Sequence, residues 1–267
     1  MSLLSSLLLL LPLPLLVLTV LTLYRLFIIT NPKRSKPLRH GRRNAYEPTH
    51  VLIVLGSGGH TAEMISMLDR AVNEPDPQRR LHWKDFAHRT WVVGKGDSIS
   101  AERAKEFEEM ATRASNQDAL MKGKVKGWTD SGPGTYDIVT VPRARNIHQS
   151  IWTTPFSSLM CGWSCWKLLT KHTDRRTRDY PDLVLCNGPA TATVLVATTI
   201  LLRLFNVESA SSRNKMRTIY FESFARVKKL SLSGTLMSKV VDRFLVQWPQ
   251  VARTYEGRVQ YAGTLVN

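Results

Sequence analysis

The stretch that decides the fold is Val51-Leu52-Ile53-Val54-Leu55-Gly56-Ser57-Gly58-Gly59-His60-Thr61. An apolar run over residues 50–55 stops at glycines and gives way to Ala62, Ile65 and Leu68 at helical spacing. That order predicts a strand, a tight loop and a helix. Gly56, Ser57, Gly58, Gly59 and Thr61 would let several backbone N–H groups converge at the positive end of the helix dipole, a nest suited to a phosphate. The competing reading is a purely structural turn. The loop is not a Walker A motif, because no Gly-Lys-Ser/Thr follows, and Thr61 stands where a dinucleotide fingerprint needs its third glycine. An imidazole at the helix start, His60, would accept a hydroxyl proton near neutral pH if a phosphorylated substrate lay beside it; otherwise it is a structural cap.

Working outward, the alternation recurs. Strands are expected at residues 89–93, 137–141, 182–185, 217–221 and 243–246, with helical patterns near 99–113, 190–205 and 230–241. Strands separated by helices predict an α/β fold, a parallel sheet covered on both faces. Residues 116–135, with Lys122, Lys124 and Lys126, read as a loop or insertion, and 173–178 as a polar connector.

In an open parallel sheet, ligands bind beyond the carboxyl ends of strands. Three further loops there carry candidate residues. Cys186-Asn187-Gly188-Pro189 opens an apolar helix; Asn187 and Gly188 would meet a ligand or merely cap a sharp turn. Glu222-Ser223-Phe224-Ala225-Arg226, followed by Ser231, Ser233 and Gly234, would hold a diphosphate through Arg226 and hydroxyls, or form a solvated basic turn. Arg143 and Arg145, after the strand at 137–141, face phosphates or are ordinary surface arginines.

Residues 3–24 carry no charge, and thirteen of them are leucine. As a helix they reach roughly 33 Å, enough to cross a hydrocarbon core of about 30 Å. A cleaved signal peptide needs a positive n-region and a small-residue cleavage site, and neither is present. Seven basic residues and no acid follow between 25 and 43, which places the C-terminal domain on the cytosolic side by the positive-inside rule. The domain boundaries expected are therefore an anchor at 1–30, a basic linker at 31–48, and one α/β domain at 49–267. The net charge of +16 suits an anionic lipid surface or a phosphorylated substrate, and without a reader motif it does not indicate nucleic acid. Three cysteines fit neither a disulfide framework nor a zinc site, and Cys161 and Cys165 read as buried thiols. No metal or cofactor is expected.

Taken together, the glycine loop, Asn187-Gly188-Pro189, Phe221-Glu222-Ser223-Phe224-Ala225-Arg226 and Val241-Asp242-Arg243-Phe244-Leu245-Val246-Gln247-Trp248-Pro249 resemble the membrane-anchoring subunit of the eukaryotic UDP-N-acetylglucosamine transferase. That enzyme adds the second GlcNAc to dolichol-diphosphate-GlcNAc at the endoplasmic reticulum. The resemblance implies a single Rossmann-like domain, the acceptor-side half of a GT-B glycosyltransferase, with a separate soluble subunit that binds UDP-GlcNAc and docks on residues 255–267. It also implies that His60 corresponds to the proposed base of the related single-chain bacterial transferase. Leu55 stands where the bacterial loop has its first glycine. A self-sufficient membrane-bound glycosyltransferase or hydrolase is the alternative from the same loops, and a membrane-tethered nucleotide binder is a third reading. Residues 255–267, read alone, equally suit a last strand closing the sheet.

Overall fold

The computed structural model describes residues 12–31, 49–76, 78, 80–81, 83–121, 134–145, 149–150, 152–170, 179–188 and 190–264. An N-terminal helix α1 (Pro12–Thr30) precedes β1 (His50–Val54), α2 (Gly59–Val72), β2 (His88–Gly94), α3 (Ser98–Met121), β3 (Thr135–Val141) and α4 (Thr154–Thr170). Then come β4 (Leu183–Asn187), α5 (Thr191–Leu204), β5 (Arg217–Phe221), α6 (Leu232–Met237), β6 (Arg243–Val246), α7 (Pro249–Thr254) and β7 (Gln260–Tyr261).

All strand pairs are parallel, in the order β3-β2-β1-β4-β5-β6-β7. The chain first winds from β1 outward to β3, then returns to the other side of β1 and winds outward again. The reversal leaves a topological switch point between β1 and β4, where a ligand crevice forms in folds of this class. Alternating side chains divide the core. Leu52, Val54, Val184, Cys186, Tyr220 and Phe244 face α4 and α5, whereas Val51, Ile53, Leu55, Trp91 and Val93 face α2 and α3. Each fully buried Leu, Ile or Val contributes about 1.5–3 kcal/mol.

Helices cover both faces as expected, except at one place. Residues of β4, β5 and β6 on the α2 side, among them Leu185, Ile219 and Leu245, line an apolar trough of about 580 Å³ rather than a helix. Right-handed crossovers explain it: every connection after β3 runs in one direction and so lands on the opposite face. The C-terminal Tyr261, Ala262, Gly263 and Thr264 form one wall, so residues 260–261 do add a last strand.

Other differences are local. Helix α3 continues to Met121, so residues 116–121 are helical and not loop; Lys122, Lys124 and Lys126 and the segment 173–178 lie outside the described residues. The 230–241 pattern yields only Leu232–Met237. Helix α4 lies where no element was expected, with Cys161 and Cys165 buried on its inner side as expected.

Helix α1 contains one apolar window long enough to cross a membrane, Leu13–Thr30. Residues 3–11 and most of the linker lie outside the described residues. The helix runs past the uncharged stretch that ends at Tyr24 to Thr30, and its last two turns dock on the domain. Arg25 Nε donates to the Leu204 carbonyl at 2.8 Å, and buried Arg203 donates to the Ile29 carbonyl at 3.1 Å while paired with Asp242 at 2.8 Å. Arg25 thereby satisfies carbonyls left open at the end of α5.

Candidate functional site

The strands β1, β2 and β4 end within two residues of one another, since Val54, the last residue of β1, lies opposite both Val92 and Cys186, and Asn187 opposes Phe221 of β5. This register brings the glycine loop, the Asn187-Gly188 turn and the loop after β5 to one edge of the sheet.

Within the loop, Gly58 adopts φ +62° and helix α2 begins at Gly59. Ser57, Gly58 and Gly59 are exposed, leaving their backbone N–H groups accessible to a ligand. Thr61 is buried, and its hydroxyl donates to the Gly56 carbonyl and meets Ser100 Oγ at 2.7 Å. Its hydroxyl thus closes the loop from within.

His60 sits in a pocket of glycine backbone. A Cβ at Gly56 would stand 2.7 Å from His60 Cβ, and one at Gly188, where φ is +91°, would stand 3.1 Å from His60 Cγ. No side chain fits at either position without moving the ring. The Gly188 carbonyl is held by the buried Tyr220 hydroxyl at 3.0 Å. Burial pushes that phenol well above its ordinary range, so it remains a donor at neutral pH.

A carboxylate that sequence reading passed over, Glu63, joins the three loops. One of its oxygens accepts from Asn187 Nδ2 at 3.1 Å; the other accepts from Ser223 Oγ at 2.8 Å and from the Phe224 N–H at 3.3 Å. The first oxygen also lies 3.8 Å from His60 Nδ1. The available signal was spacing: Glu63 is three residues after His60 and shares its helix face.

Glu222, expected to touch substrate, is buried, and its carboxylate is committed to the start of α6. It accepts from the Ser231 N–H at 3.2 Å and the Ser231 hydroxyl at 3.1 Å. Ser231 caps the helix by accepting from the Gly234 N–H at 2.9 Å, and Ser231 Oγ lies 3.2 Å from Ser233 Oγ. Gly234 has no Cβ because Glu222 occupies that space. Burial holds the Glu222 carboxyl above its usual range despite these donors. Glu222, Ser231, Ser233 and Gly234 therefore form a structural buttress behind Ser223, with Arg226 exposed beside it.

Arg143 and Arg145 lie in the loop after β3 at the same sheet edge, two strands from the glycine loop and so roughly 10 Å away. The Arg143 stem packs over Gly94 while Nε donates to the Lys95 carbonyl at 3.2 Å; Arg145 is exposed. Their loop reaches the His60 side through the Ala144 N–H, which donates to Thr191 Oγ1 at 3.4 Å. Pro189 and Asn146 lie outside the described residues.

Residues 51–265, nearly all of the sheet domain, match the family described as "Oligosaccharide biosynthesis protein Alg14 like". The chain belongs to this family. An Aspergillus fumigatus protein named UDP-N-acetylglucosamine transferase subunit alg14 is 37% identical over 241 residues, covering 76% of this chain and 100% of the relative. Proteins of the same name from Mus musculus and Homo sapiens are 30% and 32% identical, covering 93% and 82% of this chain and 94% and 84% of theirs. Among solved structures, MurG of Acinetobacter baumannii overlies 76% of this chain and 42% of its own, at 11% identity and a TM-score of 0.41.

Proposed function

We propose that this chain is the membrane-anchored, acceptor-side subunit of a two-chain UDP-GlcNAc transferase, adding the second GlcNAc of the dolichol-linked N-glycan precursor at the cytosolic face of the endoplasmic reticulum. The observation that carries this reading is the convergence of the glycine loop, Asn187-Gly188 and Ser223 around His60 and Glu63 at the switch point. The names of the family relatives supply the donor sugar and the word subunit.

In this reading the exposed N–H groups of residues 57–59 and the guanidinium groups of Arg143, Arg145 and Arg226 hold the acceptor diphosphate. The acceptor hydroxyl attacks the anomeric carbon of UDP-GlcNAc, UDP leaves, and His60 takes the hydroxyl proton. UDP-GlcNAc arrives on the soluble subunit. The trough beneath β4, β5 and β6, walled by Tyr261–Thr264, suits an apolar segment of that partner and agrees with docking through the C-terminal tail.

Two features favour a membrane setting. Helix α1 carries the apolar window, and α4 exposes Trp152 before its start and Phe156, Leu159, Met160 and Trp163 along one stripe. That stripe begins beside the arginine loop, because Ser157 Oγ donates to the Ala144 carbonyl at 2.8 Å. A lipid chain leaving the diphosphate site would enter the bilayer along it.

The test is reconstitution in vesicles containing polyprenyl-diphosphate-GlcNAc. The purified chain should transfer no GlcNAc alone and should become active when its soluble subunit is added. Robust transfer by the isolated chain would favour a self-sufficient enzyme and overturn the two-chain reading.

A further inference from the structure

We infer that Glu63 is a positioning residue for His60, fixing the tautomer and direction of the imidazole while tying the three loops of the site together. The inference rests on the reading of His60 as the proton acceptor and assigns a role to a residue outside the glycine loop.

The geometry leaves little choice about how the ring is used. His60 Nδ1 is enclosed and has no hydrogen-bond partner among the described residues. The nearest carboxylate oxygen is Glu63 Oε2 at 3.8 Å. That is longer than a hydrogen bond, and contacts of this kind in ligand-free sites close when substrate binds. A carboxylate facing Nδ1 keeps the ring proton on that nitrogen. Nε2 then presents a lone pair, on a ring whose side chain is 30% exposed, to whatever the loop binds. After proton transfer, the same carboxylate stabilises the imidazolium.

Glu63 is itself held rigidly. Asn187 comes from the end of β4, and Ser223 and Phe224 from the end of β5, so donors from two strands fix both carboxylate oxygens. Burial opposes its ionisation, but His60, Asn187 and Ser223 outweigh that and keep the carboxyl below its usual range. Glu63 is thus ionised at neutral pH. Of the other carboxylates at this edge, Glu222 is bound to Ser231 and Asp97 accepts from the Ser100 N–H, while the cations Arg143, Arg145 and Arg226 belong to the loops read as holding the diphosphate. Glu63 is therefore the carboxylate in contact with the ring.

The experiment uses the assembled two-chain enzyme, with Glu63→Gln, Ser223→Ala and His60→Ala compared at saturating UDP-GlcNAc. Glu63→Gln should lower kcat by about tenfold to a hundredfold, a fraction of what general base catalysis supplies, with little change in KM for the lipid acceptor. Because an anion near the ring favours imidazolium, its removal should also move the acid limb of the kcat profile to lower pH. Ser223→Ala, which leaves that carboxylate oxygen with the Phe224 N–H alone, should give a smaller loss and a smaller displacement in the same direction. Co-purification of each variant with the soluble subunit checks that the site is folded. An unchanged pH profile in correctly assembled Glu63→Gln and Ser223→Ala enzymes, with His60→Ala inactive, would overturn the positioning role and leave the base assignment standing. Full activity of His60→Ala would instead sink the reading on which it rests.

Discussion

Gly188 packs its backbone directly against the His60 ring, with φ +91° and only 3.1 Å between the place of a Cβ and His60 Cγ. One residue from β4 thus sets where the imidazole of α2 sits. Gly188→Ala should lower stability by about 1–2 kcal/mol, because an L side chain is strained there, and should lower transfer by at least about tenfold through displacement of the ring. Activity assays and melting curves on the assembled enzyme separate the two effects. Activity unchanged within twofold would show that the ring position is unimportant.

The clamp between helix α1 and the sheet domain gives a second expectation. Arg203→Ala leaves Asp242 with one fewer buried cation and frees the Ile29 carbonyl. Breaking a buried pair costs about 3–5 kcal/mol. The whole chain in detergent should melt several degrees lower, and protease should cut more readily near Thr30. A change below about 1 kcal/mol would mean that Arg217, 3.2 Å from the same carboxylate, compensates.

Association with the soluble subunit should depend on the trough. Tyr261→Glu places a charge at its rim on a residue that is 51% exposed, so the sheet should fold normally. Co-purification of the partner should fall about tenfold or more, while the melting temperature of this chain alone changes little. Undiminished pairing would direct the search for the interface elsewhere.

Acid should destabilise the domain through His50. Burial, reinforced by the adjacent His88, lowers its pKa to about 4, whereas Asp182 opposes the shift. The unfolded chain takes up this proton near pH 6.5 and the folded one resists it, so stability is full above pH 6.5 and falls as pH drops toward 4. The loss attributable to His50 is about 3 kcal/mol over that window. Melting temperatures from pH 7 to 4 should decline less steeply in His50→Gln than in the parent, and parallel curves would contradict the assignment.

The parallel sheet and the loop that opens it were legible because they depend on local signals: apolar runs ending at glycine, followed by a change to helical spacing. Asn187 and Gly188 were legible for the same reason, as a strand end entering a helix. Glu63 was not, because its meaning comes from Ser223 and Asn187, which are distant in sequence and adjacent only after β4 and β5 pair. The bond from Glu222 to the start of α6 was not legible either, because a charge at a strand end reads as a ligand contact until the helix start it serves is visible. Helix α4 escaped notice because its outer side is apolar, which blurs the amphipathic pattern that marks a surface helix.

The division of labour between two chains is tested most directly by equilibrium binding to this chain alone in nanodiscs. Labelled polyprenyl-diphosphate-GlcNAc should bind saturably and be weakened when Arg143 and Arg145 are both replaced by Ala, while UDP-GlcNAc should show no saturable binding until the soluble subunit is added. Saturable binding of UDP-GlcNAc to the isolated chain, with no binding of the lipid acceptor, would contradict the account.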